Sequence, residues 1–333
     1  MLRYTVKRLL GMVPVLLGVT VVSFALIHLA PGKPTDALTD LNPKMTPEAR
    51  QRLEQYYGLD QPVHIQYLRW LSRIVRLDFG QSFSADARPV MDKIWDPQAP
   101  FLDRRLVITL LINLLAMAVM IGAALPVGMY AAVRPYGLVD RVLTLLVFIG
   151  FAAPAFWVAL LLMLLFGVHL GWLPLSGITS LGHQEMSLWH QVVDRSTHLL
   201  LPVCVSAMGG VAGLSRYLRS SMLEVIRQDY ILTARAKGLP RRTVIMRHAL
   251  PNALLPVITI LGLSVPGLIG GSVIFESIFG IPGMGQLSYQ AIMTRDYPVI
   301  MCVLVLTSML TMIGNLLADL GYAAADPRIR SGV

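Results

Sequence analysis

Six long stretches of this chain carry no Asp, Glu, Lys or Arg: residues 9–30, 106–133, 142–184, 196–215, 249–275 and 297–318. That pattern constrains the fold more than any other feature. Roughly 20 apolar residues suffice for one helix to cross a bilayer, and hydrocarbon admits only backbone whose polar groups are satisfied internally. Each run therefore predicts one transmembrane helix. The longest run is long enough for two, but from Gly167 it reads GVHLGWLPLSGITSLGHQ. Gly, Pro and Ser are loop formers, so this run reads as one helix followed by a loop. The fold class expected is an all-α polytopic membrane protein with six transmembrane helices. A content of 14% charged residues, against about 25% in soluble domains, agrees with this.

The net charge of +9 raises the question of nucleic acid. With the N-terminus inside, the inner segments are 1–8, 134–141, 216–248 and 322–333. They hold 15 of the 28 Lys and Arg, against four acids: Asp140, Glu224, Asp229 and Asp326. The outer loops 170–195 and 277–296 hold one basic residue each, Arg195 and Arg295. Basicity on one side of a membrane is the positive-inside bias, so no nucleic-acid partner is expected and both termini read as cytoplasmic. Arg3, Lys7 and Arg8 precede a run too long for a signal-peptide core and without an A-x-A site, so the first helix reads as retained. Cys204 and Cys302 both fall inside runs and form no disulfide framework.

The segment 31–105 reads as an outer unit. Thr46, Pro47 and Glu48 have the form of an N-cap, a first helical position and an acidic first turn, and Gly58 of a C-cap. Beyond Pro62, Val63, Tyr67, Trp70, Ile74 and Leu77 recur at helical spacing. Acids are mixed through the segment, which favours a helix packed on a small outer domain over one lying on the membrane surface.

The inner segment between the fourth and fifth runs reads RYLRSSMLEVIRQDYILTARAKGLPRRTVIMRH. Asp229 can cap a helix over 230–237, since a carboxylate accepts from the free N–H groups of a first turn. Gly238 can end it in the left-handed conformation, and Pro240 discourages continuation. Eight residues rise about 12 Å, the size of a peg for a groove. Ala234 and Ala236 would keep it slim, and Arg235, Lys237, Arg241 and Arg242 would attract an acidic partner or anionic lipid. The plain alternative is a solvated basic loop that only obeys the positive-inside bias.

The segment DYILTARAKGL resembles the cytoplasmic loop signature of binding-protein-dependent ABC importer permeases, and TARAKG followed by HALPNALLP resembles the B-type permease subunit of dipeptide and oligopeptide importers. The general motif is Glu-Ala-Ala, three residues, Gly, nine residues, then Ile-x-Leu-Pro. Ala234, Gly238, Leu250 and Pro251 match it, while Leu232, Thr233 and His248 stand where it has Glu, Ala and Ile. APGKPTD, YYGLDQPVHIQYLRWL, RLDFGQS, SSMLEV, ESIFGIPGMG, RDYPV and DPRIR resemble further family blocks in the expected order.

The resemblance implies a division into 1–104, an N-terminal transmembrane helix with its extracytoplasmic segment; 105–322, a five-helix type I core with its coupling loop at 216–252; and 323–333, a cytoplasmic tail. It implies that Asp229, Tyr230, Thr233, Ala234, Arg235, Ala236, Lys237 and Gly238 form a coupling helix seated on an ATPase subunit. The implied partners are a second permease subunit, two ATPase subunits, an extracytoplasmic substrate-binding protein and membrane lipid. No cofactor is expected in this chain; ATP and magnesium would sit on the ATPase subunits. The chain then moves peptides without changing them and is not an enzyme. Nickel or another small solute is the alternative cargo within the same importer class.

In the fifth run, GLSVPGLIGGSVIFE offers Pro266 as a kink and Gly267 with Gly271 as GxxxG. Close helix packing is the plain reading; with Asn113, these residues are also the candidates for lining the translocation path. Glu276 and Asp319 stand at span ends, and no series of carboxylates or histidines crosses a span, which disfavours an ion-coupled secondary transporter. His28, His169 and His248 lie near interfaces and read as solvated or capping. ESIFGIPGMGQLSYQAIMTRDYP reads as an outer turn with a short helix, either touching the delivery protein or bracing neighbouring loops. GxxxxGK[ST], HExxH and GxSxG do not occur, so neither ATP binding nor hydrolytic chemistry is expected here.

Overall fold

The computed structural model describes residues 2–29, 60–84, 86–138, 140–142, 144–145, 152–264 and 267–325. The capping residues Thr46, Pro47, Glu48 and Gly58, the kink candidate Pro266, and the APGKPTD and DPRIR blocks lie outside the described residues.

The helices in chain order are α1 (Leu2–Leu29), α2 (Val63–Val75), α3 (Val90–Ile94), α4 (Arg105–Val133), α5 (Ala155–Leu162), α6 (Leu188–Ile226), α7 (Asp229–Ala236), α8 (Arg241–Ala253), α9 (Leu255–Ser264), α10 (Gly267–Gly270), α11 (Val273–Ile278), α12 (Met284–Met293) and α13 (Tyr297–Ala325). Among the described residues, α1, α4, α6 and α13 are each long and apolar enough to cross a membrane, and α8 with Leu255–Gly270, bent by 45°, makes a fifth where the pair is counted as one broken span. The third predicted span is described only in part. Its second half, α5, continues as a π-helix over Met163–His169 and then enters an irregular loop, as the Gly, Pro and Ser content of that stretch predicts.

The structure corrects two boundaries. At 39 residues, α6 is about 58 Å long, well beyond the ~30 Å hydrocarbon core. It overruns the predicted 196–215 at both ends, so 216–226 is helix rather than loop. The fifth span likewise begins at Arg241 rather than 249. Charged residues are compatible with a helix that has left the bilayer, and the absence of charge marks only the hydrocarbon crossing. What remains of the inner loop is α7 between two short turns.

The packing centre is the α4–α6 pair. A Cβ at Gly128 would lie 2.6 Å from the Ser215 carbonyl oxygen, so glycine is what allows this approach. An outer apolar cluster joins Ile108 and Ile112 of α4 to Leu201 and Val205 of α6 and to Phe279 and Ile281. An inner cluster joins Ala124, Leu218 and Met222 to Ile231, Val244 and Ala249. Burial of such side chains contributes about 1.5–3 kcal/mol each in water, less where lipid is the alternative environment.

The outer segment is fastened to α1 and α13. Phe24 stacks on His28 at 4.1 Å and meets Tyr67 edge-on at 5.3 Å. Thr20 and Tyr67 share a hydroxyl hydrogen bond of 3.0 Å, and His28 Nε2 lies 3.2 Å from Gln66 Oε1. Thus α2 packs, as expected, through Tyr67, Trp70 and Ile74, whereas Val63 and Leu77 are exposed. Two of the family blocks meet in space: buried Asp296 of RDYPV accepts hydrogen bonds from Ser82 Oγ and from the Phe83 amide at 3.0 Å, at the end of RLDFGQS.

Candidate functional site

The segment expected to face the cytoplasm carries the peg. Gln228, extended at φ −73 and ψ 149, holds the N-cap position, and its carbonyl accepts from the Ile231 and Leu232 amides at 3.0 and 3.3 Å. Asp229 is therefore the first helical residue, not the cap. Its carboxylate still stands in the first turn, where the helix dipole favours negative charge. At the other end the Lys237 amide bonds Thr233 and the Gly238 amide bonds Arg235, at 3.0 and 2.9 Å. Gly238 adopts φ +76, the left-handed stop expected of it, and Pro240 caps α8.

The two faces of α7 differ. Ile231 and Ala234 are buried in the inner cluster with Met222 and Val244. Tyr230, Leu232, Thr233, Arg235, Ala236, Lys237 and Gly238 are exposed. The expected role of Ala234 in slimming the outer face is thus corrected: it lets α7 sit close to its own chain, and only Ala236 faces outward. Leu232, 53% exposed, and Leu239 are apolar members of the outer surface that charge-based reading missed. The i, i+3 spacing of Ile231 and Ala234 would have oriented the helix and revealed them.

Further bonds tie this region to the spans. Arg241 Nη2 donates to the Val133 carbonyl at the end of α4, at 2.9 Å, and Ser221 Oγ donates to Ala253 O at 3.1 Å. Just beyond the neighbouring turn at 134–137, Asp140 is 4% exposed. It accepts a two-pronged pair from Arg219 Nε and Nη2, at 3.0 and 2.9 Å, and a bond from the Tyr136 amide at 2.9 Å. Burial pushes its carboxyl upward, but the Arg219 guanidinium and the Tyr136 amide outweigh this and hold it below the usual range. Asp140→Ala leaves Arg219 facing no carboxylate. Removing one member of a buried pair costs about 3–5 kcal/mol, and Arg219, at 28% exposure, recovers part of that by hydration. A loss of about 2 kcal/mol is expected, read as a lower unfolding midpoint in detergent.

The path candidates are only partly brought together. Asn113 Nδ2 donates to the Leu268 carbonyl at 2.7 Å, a bond from α4 to the interrupted fifth span. Gly267 and Gly271 do not form a helix-packing GxxxG. A Cβ at Gly267 meets nothing, while Gly271 has φ +64 and is non-helical, with a Cβ position 2.4 Å from Glu276 Oε1. The chain breaks there to pass around a carboxylate.

That carboxylate was read as a span-end charge, but Glu276 is 5% exposed and organises the outer turn. It accepts from Thr109 Oγ1 at 3.2 Å and from the Gln286 amide at 2.7 Å, while Thr109 accepts from the Met284 amide at 2.9 Å. The Gly177 amide donates to Phe279 O at 2.8 Å. ESIFGIPGMG therefore braces neighbouring segments. Among the described residues, no three His, Cys, Asp or Glu side chains gather as a metal site.

Two family models cover nearly the whole chain. Residues 124–331 match the binding-protein-dependent transport system inner membrane component, and residues 1–118 match the N-terminal part of the membrane component of such systems. An oligopeptide transport system permease of Bacillus subtilis is 43% identical over 99% of both chains. A dipeptide transport system permease of Alkalihalophilus pseudofirmus is 35% identical over 99% of this chain and 100% of its own. A glutathione transport system permease of Salmonella typhi is 37% identical over 99% of each.

Proposed function

The chain belongs to the family of binding-protein-dependent transport system inner membrane components, and from that premise we propose that it is the membrane-spanning permease subunit of an ATP-driven importer of peptides. The names of its relatives, which concern oligopeptides, dipeptides and glutathione, support peptides over nickel as cargo. The reading includes a second permease, two ATPase subunits that hold ATP and magnesium, and an extracytoplasmic binding protein that delivers the peptide. This chain carries out no covalent step, and both its ends lie in the cytoplasm.

The observation that carries the reading is the two-faced α7. Its outward face sets apolar Tyr230 and Leu232 among Arg235 and Lys237, on a body clamped to the spans by Ile231 and Ala234, which suits a peg that docks on a partner. An ATPase subunit gripping the outward face moves α6 and α8 with it, because the inward face is packed and packed interfaces shift as units. Such motion would open a cavity between the two permeases to one side of the membrane and then the other. Asn113, Gly267 and Gly271 belong to that cavity's wall in this reading, with Pro266 beside them in sequence.

Purification from the native membrane in mild detergent is expected to yield an ATPase and a second permease in equal amounts, identified by mass spectrometry. Cells lacking this chain are expected to lose uptake of labelled peptides and to regain it on complementation. A chain that purifies alone, and transports in vesicles under an ion gradient, would instead be a secondary transporter.

A further inference from the structure

The loop that follows α4 is built more firmly than a connection requires. It reads Arg134-Pro135-Tyr136-Gly137, and Tyr136 adopts φ +65. Proline followed by a positive-φ residue is the pattern of a type II turn, in which the second position normally belongs to glycine. Here glycine stands one residue later and the strained position holds a tyrosine, which is disfavoured there. Three observations show what sustains it. The Tyr136 amide donates to Asp140, Asp140 is buried, and Arg219 of α6 grips that carboxylate through two nitrogens. The outcome of this arrangement is exposure: Tyr136 is 77% exposed and Leu138 is 79% exposed.

Strain held in place by a buried ion pair points to a conformation with a use. The root of this loop is also joined to the peg, since Arg241, three residues beyond Gly238, donates to the Val133 carbonyl. The exposed tyrosine and leucine therefore lie on the face that presents α7, and Arg134 and Arg141 flank them. A residue that only rested among lipid headgroups would need no fixed left-handed backbone, because a flexible loop reaches that depth equally well. A protein surface, by contrast, demands a set position, and tyrosine is enriched among residues that anchor such contacts.

We propose that the turn Arg134–Gly137, with Leu138 after it, is a second docking surface for the cytosolic ATPase subunit, with Tyr136 as the residue that enters it and the Asp140–Arg219 pair as the support that aims it. This rests on the coupling role given to α7 and adds a second contact to it. Gripped at two points, the inner end of the permease would follow both translation and rotation of its partner, whereas one short helix constrains rotation poorly.

The test uses single cysteines at Tyr136 and, as a reference on the peg, at Ala236, in a version of the chain with Cys204 and Cys302 replaced by serine and alanine and its uptake checked. Inner-face membranes prepared with and without the ATPase subunits are treated with a membrane-impermeant maleimide. Both cysteines are expected to label without the ATPase and to be protected at least five-fold with it. Protection at Ala236 alone would overturn the second surface and leave the coupling reading standing. Tyr136→Cys that resists labelling in both membranes would overturn it in favour of lipid. Protection at neither position would sink both ideas. Asp140→Asn in the Tyr136→Cys chain is expected to weaken protection at Tyr136 while protection at Ala236 persists.

Discussion

Gly238→Val is expected to cut peptide uptake about ten-fold or more while the protein still reaches the membrane in normal amount. The reason is backbone conformation and not space. Gly238 sits at φ +76, and a Cβ built there meets nothing within 4 Å. An L-residue in the left-handed region costs about 1–2 kcal/mol, and a β-branched one more; each 1.4 kcal/mol is a factor of ten in an equilibrium. The strain falls on the stop that sets the length and exit angle of α7, so the outward face would no longer hold its position on the body. Gly238→Asn tolerates the same φ and is expected to keep most uptake. Gly238→Asp has almost the shape of Asn but adds a negative charge beside Arg235, Lys237 and Arg241, so the difference between those two variants isolates charge. Wild-type uptake by the Val variant would remove the peg from the coupling mechanism.

The peg was legible in the sequence because its signals are local. A glycine stop, a following proline and an acid in the first turn each act within a few residues, and the chain adopts them as written. Which side of α7 faces inward was less legible, because Ala234 carries no mark of what it packs against; only Met222 and Val244 in space decide that. The span limits failed for a related reason. Freedom from charge reports where lipid begins, not where a helix ends, and α6 runs on through Arg216 and Arg219, where Arg219 meets Asp140, 79 positions away. The GxxxG reading failed most instructively. Gly267 and Gly271 have helical spacing, but helical packing requires a helix through both, and Gly271 is where the backbone turns left-handed. Nothing within the run announces the buried carboxylate around which it turns.

That carboxylate sets the second large effect. Glu276→Ala removes the acceptor for both the Thr109 hydroxyl and the Gln286 amide. Each buried donor left unmet costs about 1–3 kcal/mol, and an emptied site adds a cavity term, so a loss of about 3–5 kcal/mol is expected. Glu276→Gln keeps the volume and one acceptor oxygen but turns an amide N–H₂ toward one of those donors, and an intermediate loss follows. The glycines around the carboxylate predict a sharper contrast. At Gly285 a Cβ would stand 2.7 Å from the Val273 nitrogen and 2.8 Å from the Ser272 carbonyl carbon, and backbone atoms cannot swing aside as a side chain does. Gly285→Ala is therefore expected to destabilise about as strongly as loss of the carboxylate. Gly267→Ala, on a helix with open space at its Cβ, is expected to be neutral or to stabilise by a few tenths of a kcal/mol. Thermal midpoints of the detergent-solubilised complex read all four. If Gly267→Ala proved as damaging as Gly285→Ala, the fifth span would have to be a continuous helix packed through its GxxxG, and the turn around Glu276 would be wrong.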